Sequence, residues 1–339
     1  CPSAHLCHHF VKGDIKNYDD VYNFGKGLDA ITIEIENVNV DALEALENEG
    51  VKVYPRPSVL RTIKNKILQK EYYKHHRIAT ADFVVTQNKA ELQQQQPFLP
   101  AVHKLAEGGY DGRGVQLIHN AEELSLGFDA PSVLEKMVTI KKEVAQIVAI
   151  DAEGNTALYP PVEMVVDKQL NQLDFQLCPA DITPDVLQQV EAISLQVVVN
   201  FKSPGLFAVE LLIDEKDNVV VNETAPRVHN SGHHTIEAHY SSQFDMLWRI
   251  MLGHPLGNTQ YLYPSVMVNL VGADGSNGPV NYEGLNNVLQ LKNAFVHLYG
   301  KAQTKPGRKM GHVTLVGSDK DLLAQQAHLV KDNLQVKSR

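Results

Sequence analysis

Cysteine is scarce in this chain: Cys1, Cys7 and Cys178 are its only three, too few and too scattered for a disulfide framework, which fits a reducing compartment. No apolar run approaches the roughly 20 residues that a bilayer span needs. The first residues show no charged-then-apolar pattern of a secretion signal. These absences lead to the expectation of a soluble, cytoplasmic protein with no membrane partner. Basic residues are also in deficit, 31 Lys and Arg against 40 Asp and Glu, for a net charge of −9. Nucleic-acid affinity is carried by basic surfaces that neutralise phosphates, so no nucleic-acid partner is expected. Cys1, Cys7, His8 and His9 offer metal-ligating atoms, but a frayed terminus is the simpler account. What the chain does have is length: 339 residues with 43% hydrophobic content can build more than one core, and two or three domains are the prior expectation.

Strand and helix patterns alternate over residues 1–57, with an apolar piece at Phe10-Val11, a helix near Tyr18 to Phe24, a strand from Ala30 to Ile35, a helix from Asn39 stopped by Gly50, and a strand from Val51 to Tyr54. This is βαβ architecture. Pro57-Ser58 begins a helical stretch to about His76, interrupted at Asn65. Lys64 and Lys66 within it read most simply as solvated charges. Strands follow at 101–105, 144–149 and 158–166, with the segment Leu134 to Val138 before the second of them, and a helix from Pro184 to about Asn200. A later helix, starting at Ser242 with Asp245 as a capping box, is predicted to bury Phe244, Leu247, Trp248 and Met251. Further strands fall at 267–271, 295–299 and 312–316, and a last helix is capped by Ser318. The divisions expected are 1–64, 65–150, 151–260 and 261–339.

The chain is organised around the stretch from Val221 to His234. Before it, Gly205 to Asp214 and Asn218 to Asn222 read as a hairpin joined by Glu215-Lys216-Asp217-Asn218. A loop of two or four residues centres between Lys216 and Asp217 and sets Glu210 opposite Glu223, where facing side chains touch. Like charges there call for a cation, and magnesium fits oxygen ligands best; the bland alternative is two solvated carboxylates. Beyond Glu223, Arg227, His229, Asn230 and His233 converge on one loop, an arrangement suited to an oxyanion. Zinc on His229 and His233 ranks below it, because that spacing wants a helix and Asn230-Ser231-Gly232 is a poor one. Lys104 leads into a segment with four glycines in seven residues, Gly108 to Gly114, through which backbone amides can approach a phosphate. Between 299 and 312, Lys301, Lys305, Arg308 and Lys309 make a basic loop in an acidic chain.

Four marks in this order, Glu34-Ile35-Glu36-Asn37, the tyrosine-containing glycine loop, Arg227-Val228-His229-Asn230-Ser231-Gly232-His233, and Tyr299-Gly300-Lys301 followed by Pro306 to His312, resemble the ATP-grasp superfamily. Within it the likeness is to the N5-carboxyaminoimidazole ribonucleotide synthetase family, over nearly the whole chain. The resemblance implies a mixed α/β ATP-grasp fold with an N-terminal Rossmann-like domain that here lacks its first strand and Gly-Gly-Gly-Gln-Leu-Gly turn. It also implies a cytoplasmic, homodimeric ligase that joins bicarbonate to 5-aminoimidazole ribonucleotide with ATP and magnesium, through carboxyphosphate. Carried over residue by residue, Lys66, Lys104, Gly109, Tyr110, Asp111, Gly112, Arg113, Gly114 and Val115 would hold ATP phosphates. Glu135, Lys136, Met137 and Val138 would hold the adenine, Glu143 the ribose, with Asn222 and Glu223 also on the ATP side, and Glu210 and Glu223 magnesium. Arg227, His229 and Asn230 would handle bicarbonate and carboxyphosphate. Glu36, Tyr110, Asp111, Arg113, Ser231 and His233 would line the aminoimidazole site, with Lys301 and Arg308 on its phosphate. Val166 stands where the family usually has a histidine. Other readings are a formate-dependent transformylase, a biotin carboxylase type of ligase, or a nucleotide-binding protein without turnover.

Overall fold

The computed structural model describes residues 2–109, 114–167 and 172–339. The N-terminal unit is built from α1 (Tyr18–Gly25), β1 (Ala30–Thr32), α2 (Val40–Asn48), β2 (Lys52–Tyr54) and α3 (Pro57–Lys64). Asn17 and Asn39 start their helices by accepting from the amides of Asp20 and Ala42, which satisfies donors the helix cannot. β1 and β2 pair in parallel, and Leu43, Leu46 and Leu60 are fully buried beneath them. β1 is half the length read from the sequence. Its last residue, Thr32, pairs with Tyr54, and the next residue on the partner strand is Pro55, which has no N–H to extend the ladder. Phe10 and Val11 lie outside any strand and are 51% and 60% exposed.

Asn65 separates α3 from α4 (Lys66–His75): its backbone is extended, and its side chain accepts from the amides of Ile67 and Leu68. The second unit adds β3 (Phe83–Thr86), α5 (Lys89–Gln93), β4 (Ala101–Leu105), β5 (Val115–Ile118) and β6 (Ser132–Lys136). Its four strands lie in the order β3-β6-β4-β5. The glycine loop is the connection of the β4–β5 hairpin, closed where the Leu105 amide donates to the Gly114 carbonyl at 2.9 Å. Gly114 has φ +76°, a backbone that favours glycine.

The remainder is one large sheet and one small three-stranded sheet, with helices on them. The strands of the large sheet are β7 (Ile140–Ile150), β8 (Thr156–Leu158), β9 (Val162–Asp167), β10 (Gln172–Cys178), β11 (Gly205–Asp214) and β12 (Val219–Ala225), then β13 (Ser265–Val271), β15 (Ala294–Leu298) and β17 (Lys309–Val316). Between these run α6 (Pro184–Phe201), α7 (Thr235–Ala238), α8 (Gln243–Leu252), β14 (Gly278–Glu283), α9 (Leu285–Leu289) and β16 (Gln303–Thr304), and the chain closes with α10 (Lys320–Asn333) and β18 (Gln335–Ser338). The order β12-β11-β7-β9-β10-β13-β17-β15, with β8 on β7, carries the sheet across the 260/261 division, because β10 pairs with β13. α6 presents Val186, Val190 and Val197 to the core under β7 and β11.

Three local expectations need correction. α8 buries Gln243, Met246 and Ile250, whereas Phe244 and Trp248 are 37% and 61% exposed; both faces of Gln-Phe-Asp-Met-Leu-Trp-Arg-Ile-Met-Leu carry apolar residues, so periodicity alone chose the wrong one. The Ser242 hydroxyl does cap the Asp245 amide, but the Asp245 carboxylate turns to Arg249 instead of completing a box. α10 is capped by Asp319, one residue later than read, through the amides of Asp321 and Leu322.

Candidate active site

The β11–β12 hairpin is the floor of the site. Its loop has three residues, not two or four: the Asp214 amide donates to Asn218, Asp217 sits at φ 62°, and Leu211 faces Val221. Counted from that loop, Glu210 would face Asn222. A β-bulge between Glu210 and Leu211 inserts Asn222 as the extra residue and restores Glu210 opposite Glu223. The pairing read from the sequence is therefore reached by a different route, and the bulge re-aims Asn222 as well.

Lysines close around these carboxylates. Lys66, at the start of α4, reaches Glu223 Oε2 at 2.7 Å. Lys104 on β4 donates to Asn222 Oδ1 at 2.9 Å and pairs with Glu135 Oε1 at 3.1 Å. Burial works to raise Glu223, but Lys66 and Lys104 outweigh it and hold the carboxylate below its usual range. At Glu210 the pull of Lys66 and Lys309 is outweighed. Burial, followed by Glu223 and Glu143, raises it well above the ordinary carboxylate range. Burial likewise raises Glu143, on the neighbouring β7. Two acids on one face, one held ionised and the other unable to ionise cheaply, fit a divalent cation that would neutralise both.

Lys64 and Lys66 are not simply solvated. The Lys64 ammonium donates to the Val38 carbonyl at 2.8 Å, and burial lowers its pKa. Glu135 is 5% exposed, and its carboxylate is committed to Lys70 at 2.9 Å and to Lys104. Lys136 spends its ammonium on the carbonyls of Phe98 and Leu99. Lys70 escaped the sequence reading, although its spacing of four from Lys66 places both on one face of α4.

The loop after β12 carries the polar cluster. Arg227 Nε lies 2.9 Å from Glu36 Oε1, which ties the N-terminal unit to the loop. The Ser231 amide donates to His229 Nδ1, so Nε2 keeps the proton and faces Glu210 Oε1 at 3.5 Å. Burial pushes the His229 imidazole down to about 3 and His233 to about 4, so both are neutral. Gln243, fully buried, clamps the loop: it accepts from the His229 amide, donates to the His229 carbonyl and contacts His233 Nδ1 at 3.0 Å. Gly232 is required here, since a Cβ would lie 2.5 Å from Gln243 Oε1. No sequence signal marked Gln243.

His233 stacks on His312 at 5.0 Å, and His312 on its cross-strand partner His297 at 4.5 Å. Beside them the basic loop is folded on itself: Lys301 donates to the Lys309 carbonyl at 2.7 Å and Arg308 to the Gln303 carbonyl at 2.7 Å. Burial and the neighbouring Arg308 lower Lys301. Lys309 acts on Glu210, His229 and His233 and belongs with the site, although Lys301 and Arg308 were the residues singled out. Tyr110, Asp111, Gly112 and Arg113 lie outside the described residues.

A stability consequence follows from the histidines. Burial holds His103, His233 and His239 near about 4 and His229 and His312 near about 3, against an ordinary 6.5. The unfolded chain therefore binds more protons as pH falls below about 6.5, and stability declines from there down to the folded values. A melting temperature clearly lower at pH 5 than at pH 7.5 is expected; an unchanged one contradicts buried neutral histidines.

Comparison with known proteins agrees with this geometry. A ribonucleotide synthetase preATP-grasp domain matches residues 1–64, an ATP-grasp domain residues 71–244, and a phosphoribosylaminoimidazole carboxylase C-terminal domain residues 265–326. The chain is 32% identical over 327 residues to the chloroplastic phosphoribosylaminoimidazole carboxylase of Vigna aconitifolia, covering 94% of this chain and 58% of that protein. It thus spans less than two thirds of that relative. The crystal structure of N5-carboxyaminoimidazole ribonucleotide synthetase from Thermotoga maritima superposes with a TM-score of 0.92 at 34% identity, over 100% of this chain and 90% of that one. The Aspergillus clavatus N5-carboxyaminoimidazole synthase in complex with ADP and 5-aminoimidazole ribonucleotide superposes with a TM-score of 0.87 at 30% identity, over 98% and 89%. Fold, motifs and these likenesses together place the chain in the N5-carboxyaminoimidazole ribonucleotide synthetase family of ATP-grasp proteins.

Proposed function

We propose that the chain uses ATP to carboxylate 5-aminoimidazole ribonucleotide with bicarbonate, giving N5-carboxyaminoimidazole ribonucleotide, ADP and phosphate. The observation that carries this reading is the convergence, on one hairpin floor, of Lys66 and Lys104, the opposed Glu210 and Glu223, and the Arg227–His233 loop. Bicarbonate oxygen takes the terminal phosphoryl group and ADP leaves; the exocyclic amine then bonds to the carboxyl carbon as its bond to the phosphate oxygen breaks, and phosphate departs with the amine's proton. No nucleophilic side chain is needed, because positioning and charge neutralisation lower the barrier. Arg227 offers the fork for a planar anion, and neutral His229, its tautomer fixed by Ser231, presents Nε2–H toward the same space. Lys66 and Lys104 take the phosphate side, together with the glycine loop. Glu210 and Glu223 would hold magnesium, which when bound neutralises phosphate charge.

The same reading assigns Asn230, Glu36, Ser231 and His233 to the anion and aminoimidazole, and Glu143 to the ribose. It treats 1–64, 65–150, 151–260 and 261–339 as working divisions. We place the reaction in the cytoplasm, which the free thiols of Cys7 and Cys178 suit; no helix among the described residues is long and apolar enough to cross a membrane. A homodimer is supported by Trp248 and Leu252, one turn apart on α8 and each 61% exposed, since exposed apolar patches mark interaction sites.

Lys301 and Arg308 are assigned to the substrate's 5'-phosphate. Charge-assisted contacts of this kind contribute roughly 1.5 to 3 kcal/mol each. Replacing both with Ala is expected to weaken nucleotide binding by two or more powers of ten and to leave ATP affinity nearly unchanged. The dephosphorylated nucleoside should bind poorly to both proteins, and equal sensitivity of nucleotide and nucleoside rejects the assignment. Release of ADP that depends on the aminoimidazole nucleotide tests the activity itself; ATP binding without such turnover rejects it in favour of a nucleotide-binding protein.

A further inference from the structure

Next to the Arg227–His233 loop, Cys178, His234 and His239 each bring one ligand atom to a common space, all within 4.8 Å of one another. They are 1%, 2% and 4% exposed. Cys178 ends β10, His234 follows the loop, and His239 follows α7. His239 has neither ring nitrogen hydrogen-bonded, and His234 leaves Nε2 bare, its Nδ1 lying 3.3 Å from Gln176 Nε2. A metal-ligating imidazole leaves one nitrogen bare toward the ion while a neighbouring group fixes the ring, and the bare Nε2 of His234 meets the first of these conditions. Gln176, on the same face of β10 as Cys178, is fully buried with Oε1 unpartnered, and its Nε2 donates to the Ser231 carbonyl at 2.9 Å. Buried polar atoms are nearly always paired, and the unpaired ones on His234, His239 and Gln176 ask for a partner.

We propose that Cys178, His234 and His239 bind one zinc-class ion, with Gln176 Oε1 as the fourth donor. Zinc takes thiolate and imidazole ligands in a tetrahedron, with Zn–S about 2.3 Å and Zn–N about 2.0 Å. Those lengths put ligand atoms about 3.5 Å apart, within reach of atoms that already lie inside 4.8 Å of one another. One ion with one thiolate and two neutral imidazoles leaves a single positive charge, and the site is closed to solvent, as structural sites are. Its consequence is mechanical. His234 adjoins His233, so the ion would tie β10 and α7 to the loop that bears His229. The site is separate from Glu210 and Glu223 and does not depend on the reaction assigned to them.

The test uses the full chain expressed with zinc supplied during growth, so that the ion meets the site as it folds. Loosely held metal is removed with a weak chelator, and metal is measured in excess magnesium, which occupies the carboxylate pair. About one zinc per chain is expected in the wild type and in Cys7→Ser, and roughly a hundredfold weaker retention in Cys178→Ser and His239→Phe. Should those variants fail to fold, cobalt-loaded wild type gives the answer, since a near-ultraviolet thiolate-to-cobalt band reports Cys178 directly. A zinc-free wild type, equal zinc in Cys178→Ser, or loaded cobalt without the thiolate band overturns the proposal.

Discussion

Glu210→Gln and Glu223→Gln are each expected to reduce ATP turnover by roughly a thousandfold or more, the scale on which phosphoryl transfer depends on charge neutralisation. The two should differ in stability. Glu210 is the acid whose ionisation burial and Glu223 oppose, so an amide there relieves repulsion and the melting temperature holds or rises. Glu223 pairs with Lys66 at 2.7 Å, and losing it strands that ammonium, so a modest fall is expected; part of the pair is exposed to solvent, which limits the loss. Thermal melts with steady-state rates at limiting magnesium decide the matter. Full activity in both variants contradicts the metal assignment, and a large collapse of Glu210→Gln contradicts the electrostatic account.

His229→Ala is expected to lower carboxylation by two to three powers of ten, within roughly the range attributed to a positioned polar group in a transition state, with ATP affinity changed little. The imidazole is neutral, hydrogen-bonded through Nδ1 to Ser231, and faces Glu210 with Nε2, a geometry directed at the anion and not at the nucleotide. His229→Asn, which retains a donor, should recover part of the loss. Equal loss in ATP binding and in carboxylation would show instead that the side chain only supports the loop clamped by Gln243.

The sequence made the chemistry legible in the places where residue type alone carries it. The acid pair of the hairpin, the Arg-Val-His-Asn-Ser-Gly-His loop and the glycine connection could all be read, because each needs a particular side chain or a missing one. The bulge at Asn222 could not: a strand that gains a residue keeps the same apolar alternation on either side, so the loop length was misjudged while the final register was right. The roles of Glu135 and Lys70 depend on β6 lying over α4, a tertiary fact that no local pattern encodes. α8 failed for a different reason, since an element apolar on two faces has no unique inward direction until its neighbours are placed. Gln243 was invisible because a buried glutamine that clamps a backbone looks like any surface glutamine.

The central claim is that one cleft makes carboxyl phosphate chemistry serve the exocyclic amine of an aminoimidazole nucleotide. Purified full chain, incubated with ATP, magnesium, carbon-13 bicarbonate and 5-aminoimidazole ribonucleotide, tests it most directly by nuclear magnetic resonance of the product. The account predicts the label as a carbamate on N5, formed with one ADP per product and lost in Glu223→Gln. Label on a ring carbon, or on no product while ATP is still consumed, would contradict it.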